Sequence, residues 1–298
     1  MTLVNGRCAF LADDNACRIH RASGSAAKPA GCRSYPATFV DDGQQVRVSV
    51  GVECACVLSS VGAGAGAGMP LAPEGAACEA HLLTGTRVVR LPDRIAVAAD
   101  REQERGALRA WSDAVVAALP RDGDALACAW ALAGALTADG LDVAAAKAAL
   151  TTAQPPSAAA LAMRLMALAA QTGSLRASTA GWRSERDRSR RLCAWLDDAA
   201  QALMDQREVT RLLKGPAAFA QDEWFYLRAA VFGHQLVVPA LTLAQAFRDR
   251  ATRMLLARQA AKVIPEDCRA DPSARYPLTA VEAMMRGQGL AQYAVGLP

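Results

Sequence analysis

Apolar and polar positions alternate with a period of two near the N-terminus and with a helical period through most of the chain. Ala37–Val40 and Val46–Val52 read as strands, and Asp41-Asp42-Gly43 between them has hairpin chemistry. Val88–Leu91 and Ile95–Val97 read as two further short strands. From Asp100 onward the pattern is helical. Leu108, Trp111, Val115 and Leu119 recur at three and four residues and give one apolar face, which Pro120 ends. Asp122-Gly123-Asp124 opens a second helix through Trp130 and Leu136, and a third covers about Val143–Thr151. Ser157 caps a helix over Ala158–Gln171, with a loop over Gly173–Gly181. The charged run Arg183–Arg191 enters a helix at Leu192–Leu203 and reads as a solvated face. Residues 222–236 form an aromatic-bearing helix with Trp224, Leu227 and Val231 facing the core. A last long helix covers about Leu241–Val263, and a closing one Leu278–Gly287.

Composition sharpens this picture. The 298 residues are 52% hydrophobic and only 5% aromatic, and alanine, the best helix former, dominates. The fold class expected is mainly α: a small cysteine-rich α/β head over residues 1–60, a glycine-rich linker with short strands over 61–98, and an α-helical body over 99–298. A net charge of +4 is far from the dense basic footprint of a nucleic-acid binder, so no nucleic-acid partner is expected. The longest apolar run, Ala125–Ala138, is shorter than the roughly 20 residues that span a bilayer, so no membrane partner is expected either. The N-terminus lacks a basic segment followed by an apolar one, which places the chain in the cytoplasm. There, clustered cysteines are metal ligands or redox thiols sooner than disulfides.

Five of the nine cysteines lie between Gly6 and Cys56, in the pattern C-x8-C-x14-C-x21-C-x-C. The hairpin delivers Cys54 and Cys56 back toward the first turn. Thiolates bind zinc and iron–sulfur clusters strongly, and Arg18, Lys28 and Arg33 beside them would offset several negative charges. His20 serves as a nitrogen ligand or as a hydrogen-bond donor to one. Cys78 and His81 have the i, i+3 spacing of a helix face. Cys128 and Cys193 read as core residues, Cys268 as a loop thiol, and His234 as a satisfied core or surface histidine. The run VGAGAGAG at Val61–Gly68 is followed by prolines. It reads as a linker because no helix N-terminus follows to hold a pyrophosphate. There is no G-x-S-x-G, H-E-x-x-H or Walker lysine loop.

The segments GRCAFL, ACRIH and KPAGCRSYP, with a hairpin ending in cysteine, resemble the second half of the CxxCxxCC (YkgJ-type) zinc- or iron-chelating domains, to which the flagellin lysine-N-methylases are related. The resemblance covers about the first sixty residues. It implies a metal site at Cys8, Cys17, Cys32 and Cys54, with His20, Cys56 and Arg33 as additional or supporting residues, and zinc or iron as cofactor. Under the methylase alternative it implies S-adenosylmethionine and a protein substrate. The family's name-giving C-x(2–4)-C-x2-C-C lies upstream of the matched part, and only seven residues precede Cys8. Either the reading frame starts too late, which is the expectation, or the ligand set has degenerated. A third alternative is a helical interaction module with a vestigial cysteine head.

Overall fold

The longest apolar run becomes the centre of the molecule. The structure, a computed structural model, describes residues 3–4, 7–8, 10, 12, 17–24, 27–29, 32, 35–53, 57–58, 61, 87–178, 183–205, 209, 212–213, 220–239, 241–263 and 277–285. The helix over Ala125–Asp139 is apolar around its circumference. Such a helix must be enclosed by other elements, and Ala125–Ala129, Leu132, Ala133 and Leu136 are all buried.

The chain begins with a short antiparallel pair, β1 (Leu3–Val4) and β2 (Arg7–Cys8), then helix α1 (Arg18–Ser23). The expected hairpin follows as β3 (Ala37–Asp41) and β4 (Val46–Val50), in register from Ala37↔Val50 to Asp41↔Val46. The acidic turn closes it. Asp42 Oδ1 accepts from the Gln44 and Gln45 amides, both at 3.0 Å, and Gly43 takes φ +87°, where glycine meets no Cβ penalty. Strand β5 (Val88–Arg90) adds parallel to β3, giving the order β4-β3-β5. A second hairpin consists of β6 (Arg94–Ala98) and β7 (Arg101–Glu104).

The helical part comprises α2 (Arg105–Ala118), α3 (Ala125–Asp139), α4 (Val143–Thr151), α5 (Ala158–Ser178), α6 (Arg183–Met204), α7 (Ala220–Phe232), α8 (Leu243–Val263) and α9 (Pro277–Met285). The ends are capped as the sequence suggests. Asp124 accepts from the Leu126 and Ala127 amides, and Asp142 from Ala145. At the other end of α2, the guanidinium of Arg228 donates to the carbonyls of Val116, Leu119 and Pro120, which helix geometry leaves unpaired.

Two expectations need revision. The stretch after Asp100 is first a strand, because Arg101–Glu104 pairs with β6, and the helix starts at Arg105. The expected loop at Gly173 is helix as far as Ser178. One glycine costs a helix about 1 kcal/mol, less than the packing available where α5 buries Leu161, Leu165 and Leu168 alongside Leu196, Ala199 and Leu203 of α6. The charged run lies in a helix as expected, the continuous α6 from Arg183.

The architecture is therefore mainly helical, with a small mixed-sheet region before a long helical body. Among the described residues the head shows no clear cysteine-rich character: Cys8 lies in β2, Cys17 precedes α1, and Cys32 follows Pro29, with its amide donating to the Pro29 carbonyl at 2.8 Å. One hydrophobic core joins the hairpin residues Val40 and Val52 to Trp111, Leu132, Phe247 and Leu255. Trp111 and Phe247 meet edge to face at 5.9 Å within it. Among the described residues no helix is long and apolar enough to cross a membrane.

Candidate functional site

Chemically distinctive side chains collect in three buried places and at one exposed edge. The first buried place joins the sheet to α2 and α7. Arg47 on β4 donates to Asp42 Oδ2 at 3.1 Å, to Asp113 Oδ1 at 2.7 Å and to the Phe232 carbonyl at 3.3 Å. Burial raises the Asp42 carboxyl, but the Gln44 and Gln45 amides and Arg47 more than offset this and bring it down to about 2.

Beside it, α7 ends in a Schellman arrangement. The Gln235 amide donates to the Ala230 carbonyl and the His234 amide to that of Val231, with His234 itself in the left-handed region at φ +49°. Glycine usually occupies that position. Here the glycine is one residue earlier, because a Cβ on Gly233 would lie 2.3 Å from Ser49 Cβ. The Ser112 hydroxyl lies 3.0 Å from the Arg109 carbonyl and is hydrogen-bonded to His234 Nε2 at 2.8 Å. The imidazole is neutral at neutral pH. Burial, with Arg47 nearby, pushes its pKa down to about 4. A serine–histidine pair of this kind suggests a hydrolase, but Ser112 is 1% exposed and His234 3%. Neither can meet a substrate, and both act as a fastening between α2 and α7.

In the second place, Arg258 of α8 spends its donors on Glu223 (2.6 and 2.7 Å), Asp124 (2.8 Å) and the Leu212 and Leu213 carbonyls. Asp222, Arg258, Pro277 and Leu278 line a cavity of about 10 Å³ there, the size of one water molecule. Burial and the neighbouring Glu223 push the Asp222 carboxyl up to about 6. In the third place, Glu282 of α9 is gripped by Arg253 through both oxygens (3.0 and 2.9 Å), by Arg250 (3.1 Å) and by the Tyr226 hydroxyl. Burial raises the Glu282 carboxyl, but the two guanidiniums outweigh it and hold it below its ordinary value. These arginines were read from the sequence only as part of a long helix. The signal that points to them is α8 itself, a helix with arginines on several faces that the core then encloses.

The exposed place is the edge strand β5. Val88 and Val89 are 37% and 45% exposed, and Arg87 and Arg90 are exposed on either side of them. The Leu91 amide donates to the Asp41 carbonyl, so Val89, two residues earlier, also turns its backbone groups toward β3. Val88 and Arg90 therefore turn theirs outward. Among the described residues no strand pairs with that edge. Among the described residues neither Arg87 nor Arg90 forms an ion pair, and Asp41, level with Arg90, accepts from the Gly43 amide.

Of the four proposed metal ligands, Cys17 and Cys32 are the ones whose side chains the structure describes. Cys17 and Cys32 are half-buried free thiols and His20 is exposed on α1. Cys8 is described in its backbone only, while Arg33, Cys54, Cys56, Cys78, His81 and Cys268 lie outside the described residues. Among the described residues no three His, Cys, Asp or Glu side chains are grouped to hold a metal ion. No family model matches the chain, and no curated protein and no solved structure does. The membership suggested by GRCAFL, ACRIH and KPAGCRSYP is accordingly corrected, and with it the zinc or iron–sulfur reading, the methylase alternative and its S-adenosylmethionine. Short cysteine motifs of five to nine residues specify little by themselves. Cys128 is 4% exposed in α3, its thiol pushed up to about 11 by burial, and Cys193 is half-buried with its thiol toward the Ala169 carbonyl.

Proposed function

We propose that this protein is a docking module that receives an extended segment of another polypeptide at the β5 edge of its sheet. The observation that carries this reading is the outward-facing backbone of Val88 and Arg90 on a strand whose side chains are all exposed. An open edge offers hydrogen-bonding groups to any added strand, and exposed β-branched residues supply contact area. The charged side chains of the interior support the same reading from the opposite direction. Arg47, Arg253 and Arg258 are each held by carboxylates, and the cavity beside Arg258 holds no more than a water.

Backbone hydrogen exchange of the full chain tests this. Capped, extended peptides rich in β-branched residues slow exchange at the amides of Val88 and Arg90, while the Leu91 amide, already bonded to β3, is unaffected. If no such peptide protects those two amides, the docking reading fails.

A further inference from the structure

Building on the docking reading, we infer that the segment received at β5 is acidic, with carboxylates three residues apart flanking a pair of β-branched residues. The edge reads Arg87-Val88-Val89-Arg90, two exposed cations, unpaired among the described residues, bracketing two exposed valines. Across the sheet, Val48, Phe39 and Val88 lie in one row and Arg47, Val40 and Val89 in the next. A strand added outside β5 extends both rows, so its two central residues meet Val88 and Val89. The residues on either side of that pair fall level with Arg87 and Arg90, where an opposite charge is favourable and a like charge is not.

The same geometry argues against a second copy of this chain as the occupant. An antiparallel β5–β5 pairing centred on the valines sets Arg87 opposite Arg90 twice over, four cations with no carboxylate among the paired residues. Arginines on an edge strand protect it from its own kind and leave it open to a partner of opposite sign. The sequence Glu-Val-Val-Glu is symmetrical in its charges, so it meets both arginines whether it adds parallel or antiparallel.

Fluorescence anisotropy of three labelled peptides of equal length, carrying Glu-Val-Val-Glu, Gln-Val-Val-Gln or Lys-Val-Val-Lys at the centre, tests this against the full chain. The acidic peptide binds about tenfold more tightly than the neutral one at low ionic strength, and 0.5 M salt closes that gap. The lysine peptide binds most weakly. Arg87→Gln with Arg90→Gln abolishes the preference for acid. Val88→Pro removes an outward N–H without touching the bonds to β3, and it weakens all three peptides. Equal binding of the acidic and neutral peptides, both sensitive to Val88→Pro, overturns the acidic specificity and leaves docking standing. Binding of none, or binding indifferent to Val88→Pro, overturns both.

Discussion

His234 occupies a backbone conformation that glycine normally takes, and it does so with a buried, neutral ring. The cost of left-handed backbone for a residue with a Cβ is of order 1 kcal/mol. The bond to Ser112 and the close approach of Gly233 to Ser49 compensate for it. Its acid response follows from linkage. The folded pKa, about 4, is below the ordinary value of 6.5. The unfolded chain therefore takes up the proton first, and the stabilising contribution, full above 6.5, is lost as pH falls toward 4. Asp222 acts in the opposite sense. Its folded pKa of about 6 lies above the ordinary 3.8, so its ionised form is penalised above 6 and the penalty is relieved as pH falls. The two partly cancel between 4 and 6, and a bare stability profile hides both. Comparison with His234→Asn separates them, since asparagine tolerates the left-handed region. The stability of the parent relative to this variant should drop by about 3 kcal/mol from pH 7 to pH 4 in urea denaturation. A pH-independent difference would show that the ring is not held neutral.

Among the elements, α9 shows how a short helix is secured. Its nine residues are too few to be stable alone. Leu278 and Val281 are buried, Thr279 donates to the Val52 carbonyl at 2.8 Å, and Glu282 enters the grip of Arg250, Arg253 and Tyr226. Glu282→Ala leaves two guanidiniums buried without their shared carboxylate, and the expected cost is about 3–5 kcal/mol. The vacated place has the size and charge for a small carboxylate. Acetate should therefore restore part of the lost stability to the variant and leave the parent unchanged, with chloride at equal ionic strength as the control. The same ΔTm in acetate and chloride would mean that the arginines find another partner. Elements legible from the sequence include β3, β4, α3, α4 and α8, whose patterns are long or bounded by Asp-Gly, Pro or capping residues. The strand β7 was not, because REQE has no apolar periodicity and becomes a strand only through β6.

For the whole molecule, the hairpin and the helices share one core, and the contacts that reinforce it are long-range. Arg47 joins β4 to α2 and α7, Gln235 Nε2 reaches Thr38 and Val50, and Thr279 ties α9 to the end of the hairpin. Heating should melt the sheet and the described helices together, so that near-ultraviolet and far-ultraviolet circular dichroism give coincident transitions. Two separated transitions would show that the hairpin unfolds on its own. The edge proposed for docking belongs to this scale as well. Val88–Leu91 is recognisable as a strand from its residues. That it lies parallel to β3, outermost, with Val88 and Arg90 facing out, depends on partners roughly fifty residues earlier in the chain.

The sequence by itself determined the predominance of helix, the hairpin around Asp42-Gly43 and most helix boundaries, because these follow from short-range periodicity, capping and turn chemistry. It also carried cysteine motifs that resemble a metal-binding head. Tertiary structure alone decided whether those thiols meet, and among the described residues they do not group with other ligands. It decided, too, that α8 is enclosed and that Arg250, Arg253 and Arg258 pair with Glu223, Asp249 and Glu282. The physical reason is common to both outcomes. Ligation and ion pairing need side chains within about 3 Å of one another, and residues far apart in the chain reach that distance only when the fold brings them there.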